Sequence, residues 1–182
     1  LQLDKRRAGE DVSARPLFSE LLREVGTVPG IKRVRFTSPH PKDMRPETFA
    51  VMAEVPTICE HLHYPLQSGS DRILAIMHRG YNAERYLEKL HQARQLIPDL
   101  AVSTDIIVGF PGETEEDFVR TLEVSAEADY DYAYTFMFSP REGTEAATMV
   151  DHFVDPAVVA DRFARLRVVV EHSAVIRHEA RI

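Results

Sequence analysis

Apolar positions along the 182 residues recur in two rhythms. In one they fall three and four apart, the spacing that lines a single side of a helix. Leu17, Phe18, Leu21, Leu22 and Val25 form such a stripe, ending near Gly30, and Tyr86, Leu87, Leu90, Ala93 and Ile97 form another. In the other rhythm, short runs rich in apolar and aromatic residues predict four strands, at residues 31–36, 60–66, 100–109 and 132–138. Helix ends are marked as well. Asn82 is placed to cap the second stripe and Pro98 follows its end. Thr114 and Asp117 form a capping pattern that predicts a helix to about residue 128. Asp155 and Pro156 open a last helix, with no glycine, asparagine or proline to stop it before Ile182.

Strands alternating with helices are the mark of βαβ connections and a parallel sheet. The expected fold is therefore α/β: a partial β/α barrel, an open arc of about four parallel strands with outer helices. A small doubly wound sheet is the alternative. Four strands do not close a barrel. Residues 1–15 are polar and without period, and predict a linker or loop. The barrel part is expected over 16–150 and a helical extension over 151–182. The sequence starts at Leu1 and its last helical pattern runs to Ile182, so the chain reads as a piece of a longer protein.

Composition narrows the function classes. Hydrophobic residues at 44% and charged residues at 28% are ordinary for a globular domain. No apolar run reaches the roughly 18 residues of a membrane span, and no signal peptide is visible, so a cytoplasmic protein is expected. The net charge of −7 argues against an autonomous nucleic-acid binder, which needs a cationic surface. A single cysteine, Cys59, excludes an internal disulfide and any all-cysteine metal or cluster site within the chain.

In a parallel α/β fold, ligands bind at the C-terminal ends of the strands. The four loops there are all polar or rich in glycine and proline. Gln67-Ser68-Gly69-Ser70-Asp71 offers amide and hydroxyl groups for a ribose or carboxylate, with glycine permitting close backbone approach; it also reads as a helix entry capped by Ser70 or Asp71. Ser103, Asp105, Ile107 and Gly109 share one face of the third strand. Asp105 there is either a ligand group or half of an internal ion pair with Arg33 or Arg35. Glu113 begins an acidic helix start whose Glu115, Glu116 and Asp117 read as solvated, leaving Glu113 as the one that can reach a ligand. His61 and His63 share a face, as metal-binding pairs do, with His40 and Asp105 as the available further ligands; packed histidines are the other reading. Tyr130, Tyr132, Tyr134, Phe136 and Phe138 alternate along the fourth strand, as a core face or as a surface on which a base stacks.

Four blocks of sequence carry a resemblance. They are Arg35-Phe36-Thr37-Ser38-Pro39-His40-Pro41, His61-Leu62-His63-Tyr64-Pro65-Leu66-Gln67-Ser68-Gly69-Ser70-Asp71, Thr104-Asp105-Ile106-Ile107-Val108-Gly109-Phe110-Pro111-Gly112-Glu113-Thr114, and Tyr134-Thr135-Phe136-Met137-Phe138-Ser139. In this order they resemble the tRNA methylthiotransferases of the radical S-adenosylmethionine class, MiaB type most of all. The resemblance implies that a parent protein adds a methylthio group to prenylated adenosine beside the tRNA anticodon. Sister branches act on threonylcarbamoyl-adenosine in tRNA or on a ribosomal-protein aspartate; a non-catalytic binding domain of the same fold is the reading outside enzymes.

The cofactors implied are S-adenosylmethionine and two 4Fe-4S clusters. One cluster is held in the family by C-x-x-x-C-x-x-C, whose cysteines are absent from this sequence, as is the C-terminal RNA-binding module. The resemblance thus implies an inactive isolated chain, with the tRNA anticodon stem-loop as partner of a monomeric parent. By position, Gln67, Ser68 and Ser70 are implied near the methionine or ribose of the cofactor, and Asp105, Gly109 and Glu113 beside its adenine. No catalytic residue and no metal ligand is expected among these residues.

Overall fold

In the computed structural model, residues 18–182 are described; the expected linker and Leu17 lie outside them. Three strands, β1 (His61–His63), β2 (Ala101–Val108) and β3 (Tyr132–Met137), form one sheet in the order β1-β2-β3, parallel throughout. The helices are α1 (Phe18–Gly26), α2 (Pro46–Glu54), α3 (Asp71–Ile76), α4 (Ala83–Leu96), α5 (Glu115–Ala128), the short α6 (Glu145–Thr148) and α7 (Pro156–Glu179).

One face of β2 carries the core. Val102, Ile106 and Val108 are fully buried, and Thr104 beside them accepts the Leu66 N–H on its hydroxyl. Each such apolar side chain contributes about 1.5–3 kcal/mol on burial. Behind β1, Tyr64 and Tyr86 stack at 4.5 Å between centroids. The hydroxyl of Tyr130 donates to that of Tyr86, which donates to the Tyr64 carbonyl. The hydroxyls of Tyr130 and Tyr86 are thereby satisfied in a chain, while that of Tyr64 is buried without a partner.

The helix ends follow their local chemistry. Asn82 accepts the Arg85 N–H, Thr114 and Asp117 form a reciprocal capping box, and Asp155 caps α7 with Pro156 behind it. The other face of the sheet, carrying His61, His63, Ser103, Asp105 and the aromatic row of β3, is not closed over by helices and forms the inner wall of the arc.

Two expectations are corrected, and one helix forms that none covered. The first strand, at 31–36, is reduced to a single parallel bridge between Val34 and Ile58. The partner segment spends its N–H groups locally, from Ile58 to Val55 and from His61 to Cys59, so only one residue is left to pair. Residues 46–54 form α2, which no expectation covered; Pro46 in its first turn and the buried Phe49, Val51 and Met52 explain it. The last helix ends at Glu179 instead of running through Ile182, and Arg181 turns back to pair with Asp131 at the foot of β3. Helix α7 packs on β3, β2 and α5.

Candidate functional site

The strand ends and the loops after them surround a cavity of about 530 Å³, within the usual range for small-molecule sites of roughly 300–1,000 Å³. Ile107, Phe110, Phe136, Met137 and Phe138 supply apolar walls, and Gln67, Asp105, Arg79, Ser139, Arg141 and Thr144 supply polar groups. A smaller pocket of about 190 Å³ opens beside it and shares Arg79, Ile107, Phe110 and Ala146.

Gln67 reaches the cavity from a strained position. Its φ is +67°, unusual for a residue with a side chain. The backbone is held there by its N–H to the Asp105 carbonyl at 2.8 Å and by the Ile107 N–H to its own carbonyl at 2.9 Å. Tyr81 adds a hydroxyl bond to the Leu66 carbonyl at 2.9 Å. Strain kept up by surrounding bonds is typical of a functional position.

Asp105 faces the cavity and meets His63, not Arg33 or Arg35. His63 Nε2 lies 3.2 Å from its carboxylate and Nδ1 lies 2.9 Å from Ser103 Oγ. Register explains the pairing, since His63 lies opposite Ser103 with Asp105 one same-face step onward.

Ser68 and Ser70 are buried and point the other way. Ser68 Oγ lies 3.3 Å from Thr121 Oγ1 and accepts the Ser70 N–H. Ser70 caps α3 by accepting the Ile73 N–H, and donates its hydroxyl to Asp117 at 2.6 Å. Between them, Gly69 packs so closely that a Cβ would stand 2.6 Å from the Thr121 Cα. The glycine therefore serves contact with α5 rather than with a ligand.

Gly109 and Glu113 build the rim of the cavity from behind. Gly109 has φ +75°, and the space a Cβ would need is filled by Val159 of α7. Glu113 is wholly buried: its Oε2 accepts the Gly109 N–H at 2.9 Å and pairs with Arg162 at 3.0 Å, while Oε1 has no partner. Burial pushes its pKa up, opposed by the Gly109 and Arg162 bonds. Asp117 corrects the expectation of a solvated acidic helix start. Burial works to raise its pKa, but Arg72, Ser70 and Thr114 all bond to the carboxylate and hold it well below the usual range. Glu115 and Glu116 are exposed, as expected, and Glu115 also pairs with Arg162 and Arg165.

Arg79 was not among the expected site residues. It stands between His78 and Gly80, both with positive φ, in the turn after α3, and it borders both cavities. Its Nε is buried without a partner. Among the described residues no carboxylate pairs with it or with Arg141. The sequence signal was faint, a lone arginine before a glycine, and only the fold brings it across from Asp105.

No three His, Cys, Asp or Glu side chains converge on a metal-binding geometry among the described residues. His40 stacks edge-on against Tyr81, at 5.6 Å between ring centroids, and is not joined to His61 and His63. The β3 aromatics divide. Tyr130 is buried, whereas Tyr132, Tyr134 and Phe136 are 48–53% exposed on the inner face, so the row is not a core face.

A parallel α/β arc with a mixed apolar and charged cavity at its strand ends defines the class: part of a β/α-barrel fold. The Radical SAM superfamily model matches residues 8–124. The chain is 52% identical over 174 residues to the tRNA-2-methylthio-N(6)-dimethylallyladenosine synthase of Acidothermus cellulolyticus, covering 96% of this chain and 35% of that protein. It is 52% identical over 158 residues to the enzyme of the same name from Thermobifida fusca, covering 87% and 32%. Coproporphyrinogen III oxidase (HemN) from Escherichia coli, a radical SAM enzyme, shares the fold at TM-score 0.61 and 18% identity, over 73% of this chain and 31% of that one.

The chain belongs to the radical SAM superfamily. It spans about a third of the length of the curated relatives it matches. Among the described residues no helix is long and apolar enough to cross a membrane.

The superfamily's name implies S-adenosylmethionine together with an iron–sulfur cluster. The cavity fits the first: an unpartnered buried guanidinium nitrogen suits a carboxylate, Asp105 and Gln67 suit hydroxyl groups, and the aromatic wall suits a flat ring. The chain does not fit the second. It has one cysteine, Cys59, and no ligand cluster among the described residues.

Proposed function

We propose that this chain is the S-adenosylmethionine-binding part of a tRNA methylthiotransferase that modifies prenylated adenosine next to the anticodon. The observation that carries the reading is the cavity joining Gln67, Asp105 and Arg79, in a chain half-identical to enzymes named for that product. Arg79 would hold the cofactor's carboxylate, and Asp105 with Gln67 its ribose hydroxyls. Ser68, Ser70, Gly109 and Glu113 do not line the cavity and would hold the loops around it from behind. When bound, the cofactor supplies a source of radical chemistry; the chain's own residues orient it and exclude water.

In this reading the clusters, two of the 4Fe-4S kind, are held by cysteines outside this chain. The anticodon stem-loop binds largely through other parts of the parent, because the net charge here is −7. The parent works in the cytoplasm, where tRNA is. The test is a protein extended to its starting methionine, reconstituted anaerobically with iron and sulfide and reduced. Cofactor cleavage and methylthiolated RNA from the extended protein alone support the proposal. Their absence in a protein that does assemble its cluster sinks it.

A further inference from the structure

On the inner face of the sheet, His61, Ser103, His63 and Asp105 form one line of hydrogen bonds that ends at the cavity. Asp105 is a polar group of the cavity lining, with its side chain 25% exposed. His63, on the neighbouring strand, is 11% exposed and is not among the lining residues. Two neighbours fix its ring. Tyr134 of β3 meets it edge to face at 5.9 Å between centroids, and Ser103 Oγ lies 2.9 Å from Nδ1. The other nitrogen, Nε2, lies 3.2 Å from Asp105 Oδ2.

The protons of this line follow from its chemistry. A carboxylate only accepts, so Nε2 of His63 carries the hydrogen that Asp105 takes. In a neutral ring Nδ1 then accepts from the Ser103 hydroxyl, and in a charged ring it donates to it; a hydroxyl serves either way. His61 Nε2, 3.4 Å from the same Oγ, donates in the first case and accepts in the second. The N–H on Asp105 is therefore kept in both charge states of His63. It matters because a carboxylate turns easily about its last side-chain bond, whose preferred angles are broad. Among the described residues, the hydrogen bond to this carboxylate comes from His63 alone. It engages Oδ2 and leaves Oδ1 as an acceptor for a ligand.

We infer that His63 is a positioning residue of the cofactor site that acts through Asp105: its Nε2–H sets the carboxylate so that the second oxygen accepts a ribose hydroxyl of S-adenosylmethionine. The inference rests on the proposed function and adds to it the group that makes Asp105 selective for a hydroxyl. A ring that merely filled space beside β2 would affect every ligand of the cavity alike; one that aims a carboxylate affects only ligands carrying the hydroxyl.

The test is equilibrium binding, to the reconstituted full-length parent protein, of S-adenosylmethionine and of its two analogues that each lack one ribose hydroxyl. The native protein is expected to prefer the cofactor to at least one analogue by about tenfold or more. His63→Asn keeps an amide at the level of Nδ1 but does not reach Asp105. It should reduce the preference to within about threefold and leave affinity for that analogue within about twofold. His63→Gln, whose amide nitrogen can stand where Nε2 stands, should restore most of the preference. Added to Asp105→Ala, His63→Asn should change cofactor affinity by no more than about twofold, since the residue it acts through is gone. His63→Phe takes the place of His63→Asn should that variant not fold. Unchanged preference in the folded variant overturns the inference. Equal weakening of cofactor and analogues also overturns it, leaving the ring a structural part only. A native protein that binds the cofactor without preferring it to either analogue overturns it while the cofactor cavity stands. A native protein that assembles its cluster and binds no cofactor brings down the proposed function, and the inference with it.

Discussion

Replacing Arg162 by methionine isolates the fully buried ion pair with Glu113 behind the cavity. The side chains of Arg162 and Glu113 are 5% and 0% exposed, so neither charge has water to fall back on. Removing one partner of such a pair costs about 3–5 kcal/mol when the other must stay charged. Glu113 has an escape, because it can take up a proton. From the ordinary value of 4.5, protonating a carboxyl at pH 7 costs about 3.4 kcal/mol, and at pH 5 about 0.7 kcal/mol. The charge penalty is therefore capped near those figures. Loss of the bonds to Glu115 and the Glu113 carbonyl adds about 1 kcal/mol at either pH.

The sign follows from linkage. Burial already raises Glu113 in the native chain, so its contribution is fully present below about pH 4.5 and is lost as pH rises through the raised value. Without Arg162 that loss deepens. Urea unfolding of the native chain and of Arg162→Met, at pH 5 and pH 7, should show a deficit of about 4 kcal/mol at pH 7 and under about 2 kcal/mol at pH 5. Glu113→Gln added to Arg162→Met should remove most of the pH dependence. A deficit equal at the two pH values, or below about 1 kcal/mol at pH 7, would refute the reasoning.

Two further outcomes follow from the loops. Gly109→Ala places a Cβ 2.5 Å from Val159 Cγ2 at φ +75°; a loss of at least about 2 kcal/mol is expected in urea unfolding, with Val159→Ala restoring only the part due to crowding and not the part due to φ. Ser70→Ala removes the cap of α3 and the bond to Asp117; about 1–2 kcal/mol should be lost in the same assay, with cofactor affinity unchanged within about twofold.

The elements announced by caps and periodicity formed where the residues placed them. Asn82, Thr114 with Asp117, and Asp155 each start a helix through a bond between neighbours in sequence, which is why they could be read without a fold. The segment at 31–36 failed for the opposite reason: a strand needs a partner with free N–H groups, and Ile58 and His61 bond theirs within their own segment, leaving Cys59 to bond Val34. Within the site, the faces of β2 followed from alternation. What Asp105 meets did not, because His63 becomes its neighbour only through register. The burial of Asp117 depends on α3 and Arg72 coming close, a contact between residues far apart in the chain. Arg79 was invisible for the same reason, gaining its place from a turn with two positive φ angles.

The cavity at the strand ends is the proposed cofactor site, and Asp105 is its most direct probe, since its carboxylate both faces the cavity and is held by His63. Equilibrium binding of S-adenosylmethionine to the full-length protein should weaken at least about tenfold in Asp105→Ala, while the thermal midpoint stays within a few degrees. Native affinity in a folded Asp105→Ala protein would contradict the assignment and move the cofactor elsewhere.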